Sequence, residues 1–115
     1  MDSQSDQGCV LVVEDPLIQK FIGGILKREG RQVIEAKAEQ SLRILRSSDP
    51  SIVLLITNQP LRFIEFAETL PLVYVAAVPD PTLALHFRYC RMLRKPFPPS
   101  DLVECVAELL PVAAV

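Results

Sequence analysis

Cysteine is scarce in this chain of 115 residues, and the three present form no framework: Cys9, Cys90 and Cys105 are odd in number and show neither a C-x-x-C pattern nor paired metal-ligand spacing. That argues against a disulfide scaffold or a zinc site and leaves burial as small apolar groups. Blocks of like charge are missing too. A net charge of -2 with 23% charged residues gives no general attraction to nucleic acid or to an anionic membrane. No apolar run approaches the roughly 20 residues of a membrane helix. The polar stretch 1–8 lacks the basic-then-apolar order of a secretion signal, so a cytoplasmic location is expected. No glycine-rich loop follows the first apolar run, where Pro16-Leu17 stands instead, and nucleotide binding in the usual mode is disfavoured. The single histidine, His86, has no acid or nucleophile beside it in sequence and defaults to a surface role.

What is present is hydrophobic. Half of the residues are apolar, ample for one core, and the length fits one domain over 9–110 between a disordered N-terminal segment, 1–8, and a C-terminal tail, 111–115. The runs 9–13, 52–56 and 72–77 are short and branched-aliphatic, the pattern of parallel strands covered on both faces. Between the first two, Leu17, Ile18, Phe21, Ile22, Ile25 and Leu26 recur at helical spacing over 16–29, and Gly30 stands where a left-handed cap would end the helix. A strand over 32–36 and a helix over 38–47, with Ala38, Leu42 and Leu45 on one stripe, precede the break at Asp49-Pro50. Further on, 61–69 allows at most a short helix, 81–90 places Leu83, Phe87 and Cys90 on one helical face, and 92–94 makes a brief strand. A last helix over 101–110, capped by Ser100, turns Leu102, Val106 and Leu109 inward.

Five strands alternating with helices, without internal repeats, imply a doubly wound α/β sheet, because parallel neighbours require right-handed crossovers. Functional groups in such sheets gather beyond the carboxyl ends of the strands. That places Glu14, Asp15, Ile56, Thr57, Asn58, Ala76 and Lys95 at one edge. Capping of the first helix by Glu14 and Asp15, with Lys95 a free end-of-strand cation, is the structural alternative.

Val12-Val13-Glu14-Asp15 closing the first strand, Pro60 in the loop after the third and Lys95-Pro96-Phe97 after the fifth occur in one order with helices between. In this the chain resembles the receiver domain of two-component response regulators, the CheY-like superfamily, over nearly its whole length. The resemblance implies a flavodoxin-like, five-stranded parallel sheet of order 2-1-3-4-5. It also implies an aspartate that accepts a phosphoryl group and acidic residues that hold magnesium. Pro60 follows the family's acceptor by four residues, which puts Ile56 at the phosphoacceptor position; sliding by one offers only Leu55 or Thr57. An aliphatic side chain has no lone pair with which to attack phosphorus. For magnesium there remain Asp15, Glu14 and the carbonyl of Asn58, so binding is expected to be weak or absent. The family's hydroxyl residue on the fourth strand corresponds to Ala76, which cannot donate a hydrogen bond, and its aromatic switch on the fifth corresponds to Met92.

Lys95, which in the family contacts phosphoryl oxygen, is expected here to pair directly with Asp15 and Glu14. The short interval between Leu61 and Pro71 implies a shortened third helix, exposing apolar surface around Ile64, Phe66 and the third or fourth strand that a partner or a second copy would cover. Gly23-Gly24 inside the first helix asks for close packing, either internal or against a partner's helix. Arg88, Arg91, Arg94 and Lys95 form a local basic stretch, either a solvated face or a surface for an acidic partner.

The expectation is therefore an atypical, degenerate receiver domain. It would be no enzyme and would act in signal transduction by protein–protein interaction without aspartyl phosphorylation. Its partner would be a histidine kinase, an output protein or a second copy. Two alternatives stand beside it: a conventional phosphorelay receiver using a displaced acceptor, Glu14 or Asp15, and a small-ligand sensor at a vacated pocket beside Ile56 and Ala76.

Overall fold

The aliphatic runs form the sheet. In the computed structural model, which describes residues 8–110, the chain runs β1 (Cys9–Val13), α1 (Pro16–Arg28), β2 (Val33–Glu35), α2 (Ala38–Ser47) and β3 (Ile52–Thr57). There follow a 3-10 segment (Pro60–Phe66), β4 (Leu72–Ala76), α3 (Pro81–Ala84), β5 (Cys90–Arg94) and α4 (Pro99–Leu109). The disordered segment and the tail expected at the two ends lie, but for Gly8, outside the described residues. All strands are parallel in the order β2-β1-β3-β4-β5, the doubly wound, flavodoxin-like topology. Val12 stands beside Ile56, and Thr57 beside Tyr74, so the ends of β1, β3 and β4 share one edge.

Alternation along the strands divides the core in two. Val10, Val12, Leu54, Ile56, Val73, Val75 and Leu93 face α1 and α4, meeting Ile22, Ile25, Leu26, Leu102 and Val106. Leu11, Val13, Leu55, Leu72 and Tyr74 face the other way, against Phe63, Ala67, Leu70 and Phe87. Phe63 is the side chain that makes the 3-10 segment sufficient. It is fully buried, and β3 and β4 stay covered although no α-helix forms between them. The surface expected to open over β3 or β4 is therefore closed, while Leu61 and Ile64 of the covering segment are exposed and Phe66 is half-buried. Arg46 of α2 holds the segment from outside, its Nε and Nη2 donating to the Glu65 carboxylate at 3.0 and 2.6 Å.

Three other expectations change. The helix expected over 81–90 ends at Ala84 after one turn, although Phe87 still packs into the core and Leu83 and Cys90 lie against it. Asp80 stabilises that turn, its Oδ1 accepting from Thr82 N at 2.9 Å and Thr82 Oγ1 at 2.7 Å, which holds the Asp80 carboxyl below its ordinary range. Ser100 lies inside α4 and does not cap it; Pro98 precedes the helix and Pro99 supplies the favourable first-turn proline. On α1, Leu17 and Phe21 point outward, because six apolar residues make a band wider than the sheet can cover.

The glycine pair has separate explanations. A Cβ on Gly23 would lie against the Glu35 carboxylate of β2, which also sits 3.6 Å from Lys27 Nζ, so internal packing accounts for it. A Cβ on Gly24 would meet nothing closer than Arg28 Nη1 at 3.6 Å. Gly24→Ala is accordingly expected to raise stability by about 1 kcal/mol in urea unfolding. Gly23→Ala is expected to yield less, because Glu35 must give way.

Candidate functional site

The loop after β1 presents its two acids differently. Glu14 turns inward until its side chain is 0% exposed, and Lys95 Nζ, at the end of β5, stands 2.9 Å from Glu14 Oε2. The other oxygen, Oε1, accepts the backbone N–H of Asp15 at 3.0 Å. Oε2 has no directed hydrogen bond among the described residues, so its contact with Lys95 is ionic rather than aligned. Asp15 lies on the surface at the start of α1, without a side-chain cap bond. The expected pairing of Lys95 thus falls on Glu14, and Asp15 is not its partner.

Ile56 comes up on β3 beside Val12 and is 0% exposed, packed in the layer beneath α1 and α4. Its position carries apolar bulk into the core instead of a polar atom to the edge. Thr57, the next residue, is also fully buried on the opposite face, and its Oγ1 accepts the N–H of Gln59 at 3.1 Å, tightening the turn into Pro60. Asn58 is half-buried, with an Oδ1 that has no hydrogen-bond partner among the described residues. Ala76 ends β4, and its carbonyl accepts the Lys95 N–H at 2.8 Å, which fixes the start of the loop carrying that ammonium. The Lys95–Pro96 bond is cis.

These donors do not fit magnesium. The ion requires near-octahedral oxygen coordination. Here one carboxylate is buried against an ammonium, the third strand offers an isoleucine, and Asp15 alone presents a free acid. Among the described residues no three His, Cys, Asp or Glu side chains converge for a metal.

One contributor to this edge carried no signal in the sequence. Gln19 on the first turns of α1 donates through Nε2 to Val12 O at 2.8 Å and to Ala36 O at 3.1 Å, tying the ends of β1 and β2 to the helix. A lone glutamine on a helix has no spacing pattern that would single it out. Beyond the edge, a cleft of about 400 Å³ is lined by Ile18, Phe21, Ala77, Lys95, Pro96 and Phe97, with the Phe21 and Phe97 ring centroids 5.9 Å apart. Neither Ile56 nor Ala76 lines it, so the cleft is displaced from the pocket expected beside them.

Met92 lies on β5, 44% exposed, where α3 is too short to cover it. Tyr89 is similarly exposed with the Arg88 guanidinium 5.3 Å over its ring, whereas Phe87 is buried. Behind β5, burial pushes the Cys90 thiol up to about 11, and Cys105 is raised by the same cause. At pH 8 about one Cys90 in a thousand would be thiolate, the reactive form. Iodoacetamide at that pH is expected to leave Cys90 unmodified in the folded chain and to alkylate it in denaturant, as read by peptide mass spectrometry.

The chain shares its fold with solved receiver domains. It is similar to a two-component response regulator from Clostridium difficile at TM-score 0.77 and 17% identity, covering 95% of this chain and 100% of that one. The receiver domain of the hybrid histidine kinase CckA matches at TM-score 0.70 and 23% identity, over 90% of this chain and 99% of that one. A response regulator receiver protein from Sinorhizobium medicae matches at TM-score 0.71 and 16% identity, over 94% and 98%. No protein-family model and no curated protein matches the sequence. No helix among the described residues is long and apolar enough to cross a membrane.

Proposed function

We propose that this chain is a degenerate receiver domain that transmits signals by protein contact, without aspartyl phosphorylation and without catalysis of its own. The observation that carries this reading is Ile56, fully buried at the end of β3 in a sheet whose neighbours in fold are receiver domains. Support comes from Lys95, whose ammonium is engaged by Glu14, and from Ala76, which has no hydroxyl to follow a phosphoryl group. Magnesium affinity is weak or absent on this account. The partner is a protein of a two-component pathway in the cytoplasm, a histidine kinase or an output protein, rather than nucleic acid.

Incubation of the chain with acetyl phosphate and magnesium, followed by intact-mass measurement, is expected to leave the mass unchanged. An added phosphoryl group that is labile to base would sink the proposal. If that adduct disappears in Asp15→Asn, the displaced-acceptor alternative takes its place. The apolar cleft between Phe21 and Phe97 favours the ligand-sensor alternative to the extent that a small apolar molecule raises the melting temperature and Phe21→Ala abolishes the rise.

A further inference from the structure

The sheet ends in an open strand with one sign of charge. Among the described residues β5 pairs only with β4, in the register Leu72 with Cys90, Tyr74 with Met92 and Ala76 with Arg94. Leu72 N donates to Tyr89 O at 2.9 Å and Lys95 N donates to Ala76 O at 2.8 Å. The odd-numbered residues of β5 therefore aim their backbone groups at β4, and those of Cys90, Met92 and Arg94 point away from the sheet. Among the described residues no strand pairs with this outer side, and Arg91 Nη1 donates to the outward-facing carbonyl of Cys90 at 3.5 Å.

Proteins ordinarily blunt such an edge with charge or cover it with a helix. Here the cover is missing on one face, because α3 is a single turn, and Met92, Tyr89 and Leu85 are left exposed beside the strand. The charge is present and is basic. Arg88, Arg91 and Arg94 fall within seven residues, and the sequence has no acid between Asp80 and Asp101. Among the described residues Arg91 alone of the three is compensated, its Nε donating to Glu108 Oε1 of α4 at 2.6 Å.

We propose that the outer edge of β5 accepts an acidic, extended segment of a partner protein as a sixth strand. Its backbone would complete the ladder at Cys90, Met92 and Arg94. An apolar side chain would rest on Met92, and carboxylates would meet Arg94 and Arg88. A second copy of this chain fits worse, since a symmetric pairing through β5 would set two groups of arginines along one strip. This surface deepens the protein-interaction reading and rests on it for the existence of a partner. Its test uses no phosphate, so its failure leaves the acetyl phosphate result standing.

The probe is a capped heptapeptide, Glu-Thr-Val-Thr-Val-Thr-Glu, whose one face carries valine between two glutamates, added to the full chain and followed by amide exchange in NMR spectra. At saturation, exchange at Cys90, Met92 and Arg94 is expected to slow at least tenfold, with the inner amides of Arg91 and Leu93 unchanged. The matching peptide with lysine in place of both glutamates is expected to do nothing. Arg88→Glu with Arg94→Glu, both at exposed positions, is expected to abolish the effect while leaving the melting temperature unchanged. Met92→Pro removes an outward donor that β4 does not use and is expected to abolish it as well. The proposal is overturned if millimolar acidic peptide protects none of the three amides, or if protection survives the double arginine reversal. It is equally overturned if the three amides are already protected in the free chain, or if the solution mass is that of a dimer which Met92→Pro dissociates.

Discussion

Lys95→Met is expected to destabilise the fold by about 3–5 kcal/mol, the range for breaking a buried ion pair from one side. The Glu14 side chain is wholly buried, and among the described residues its Oε2 has only the Lys95 ammonium, 2.9 Å away, to offset its charge. Its other oxygen takes one backbone N–H. Methionine fills much of the space of lysine and supplies no charge, so the carboxylate would remain desolvated and unpaired. Glu14→Gln combined with Lys95→Met is expected to recover more than half of the loss, because an uncharged amide costs far less to bury. Urea unfolding at neutral pH of the parent, both single variants and the double variant measures the coupling. If Lys95→Met costs less than about 1 kcal/mol, the pair behaves as an exposed one, and Lys95 is free for another role.

The parts of the fold that periodicity governs were legible. Continuous aliphatic runs gave the strands and their parallel arrangement, since Val10, Leu54, Val73 and their neighbours are buried from both faces. The helices were less legible wherever a single residue or a cap decided them. Leu83, Phe87 and Cys90 do pack against one cluster, but the backbone leaves the helix after Ala84 and reaches the same cluster as a loop. Spacing records which side chains are wanted inside and not the path between them. Likewise the interval after β3 showed that a full helix would not fit, yet nothing marked Phe63 as the plug that closes the surface. At the site, the order Glu14, Asp15, Ile56, Lys95 along strand ends was enough to bring these residues to one edge. The choice of Glu14 over Asp15 by Lys95 depends on which carboxylate turns inward, a rotamer question that residue order does not record.

Ile56→Asp is expected to be the most damaging single substitution at this edge, costing more than about 4 kcal/mol, even though it supplies the acid whose lack underlies the proposed reading of this chain. Ile56 is 0% exposed among Val10, Val12, Leu54, Val73, Leu102 and Val106. An aspartate would lose the burial of the aliphatic chain and would place a carboxylate in an apolar layer, with the nearby Lys95 already held by Glu14. Ile56→Asn separates the two costs, since it has the same shape without the charge. Ile56→Val, which removes one methylene, is expected to cost only about 0.5–1.5 kcal/mol. The sign of the pH dependence follows from burial, which raises the folded-state pKa of the new aspartate above its unfolded value of about 3.9. Between those two values the folded state holds the extra proton, so stability falls as pH rises through that window. The excess cost of Ile56→Asp over Ile56→Asn is therefore expected to be full at neutral pH and to vanish below about pH 4. If instead Ile56→Asp is as stable as the parent at neutral pH and gains a phosphoryl group from acetyl phosphate, the strand end is open to solvent and the loss of phosphoryl capture traces to that one side chain.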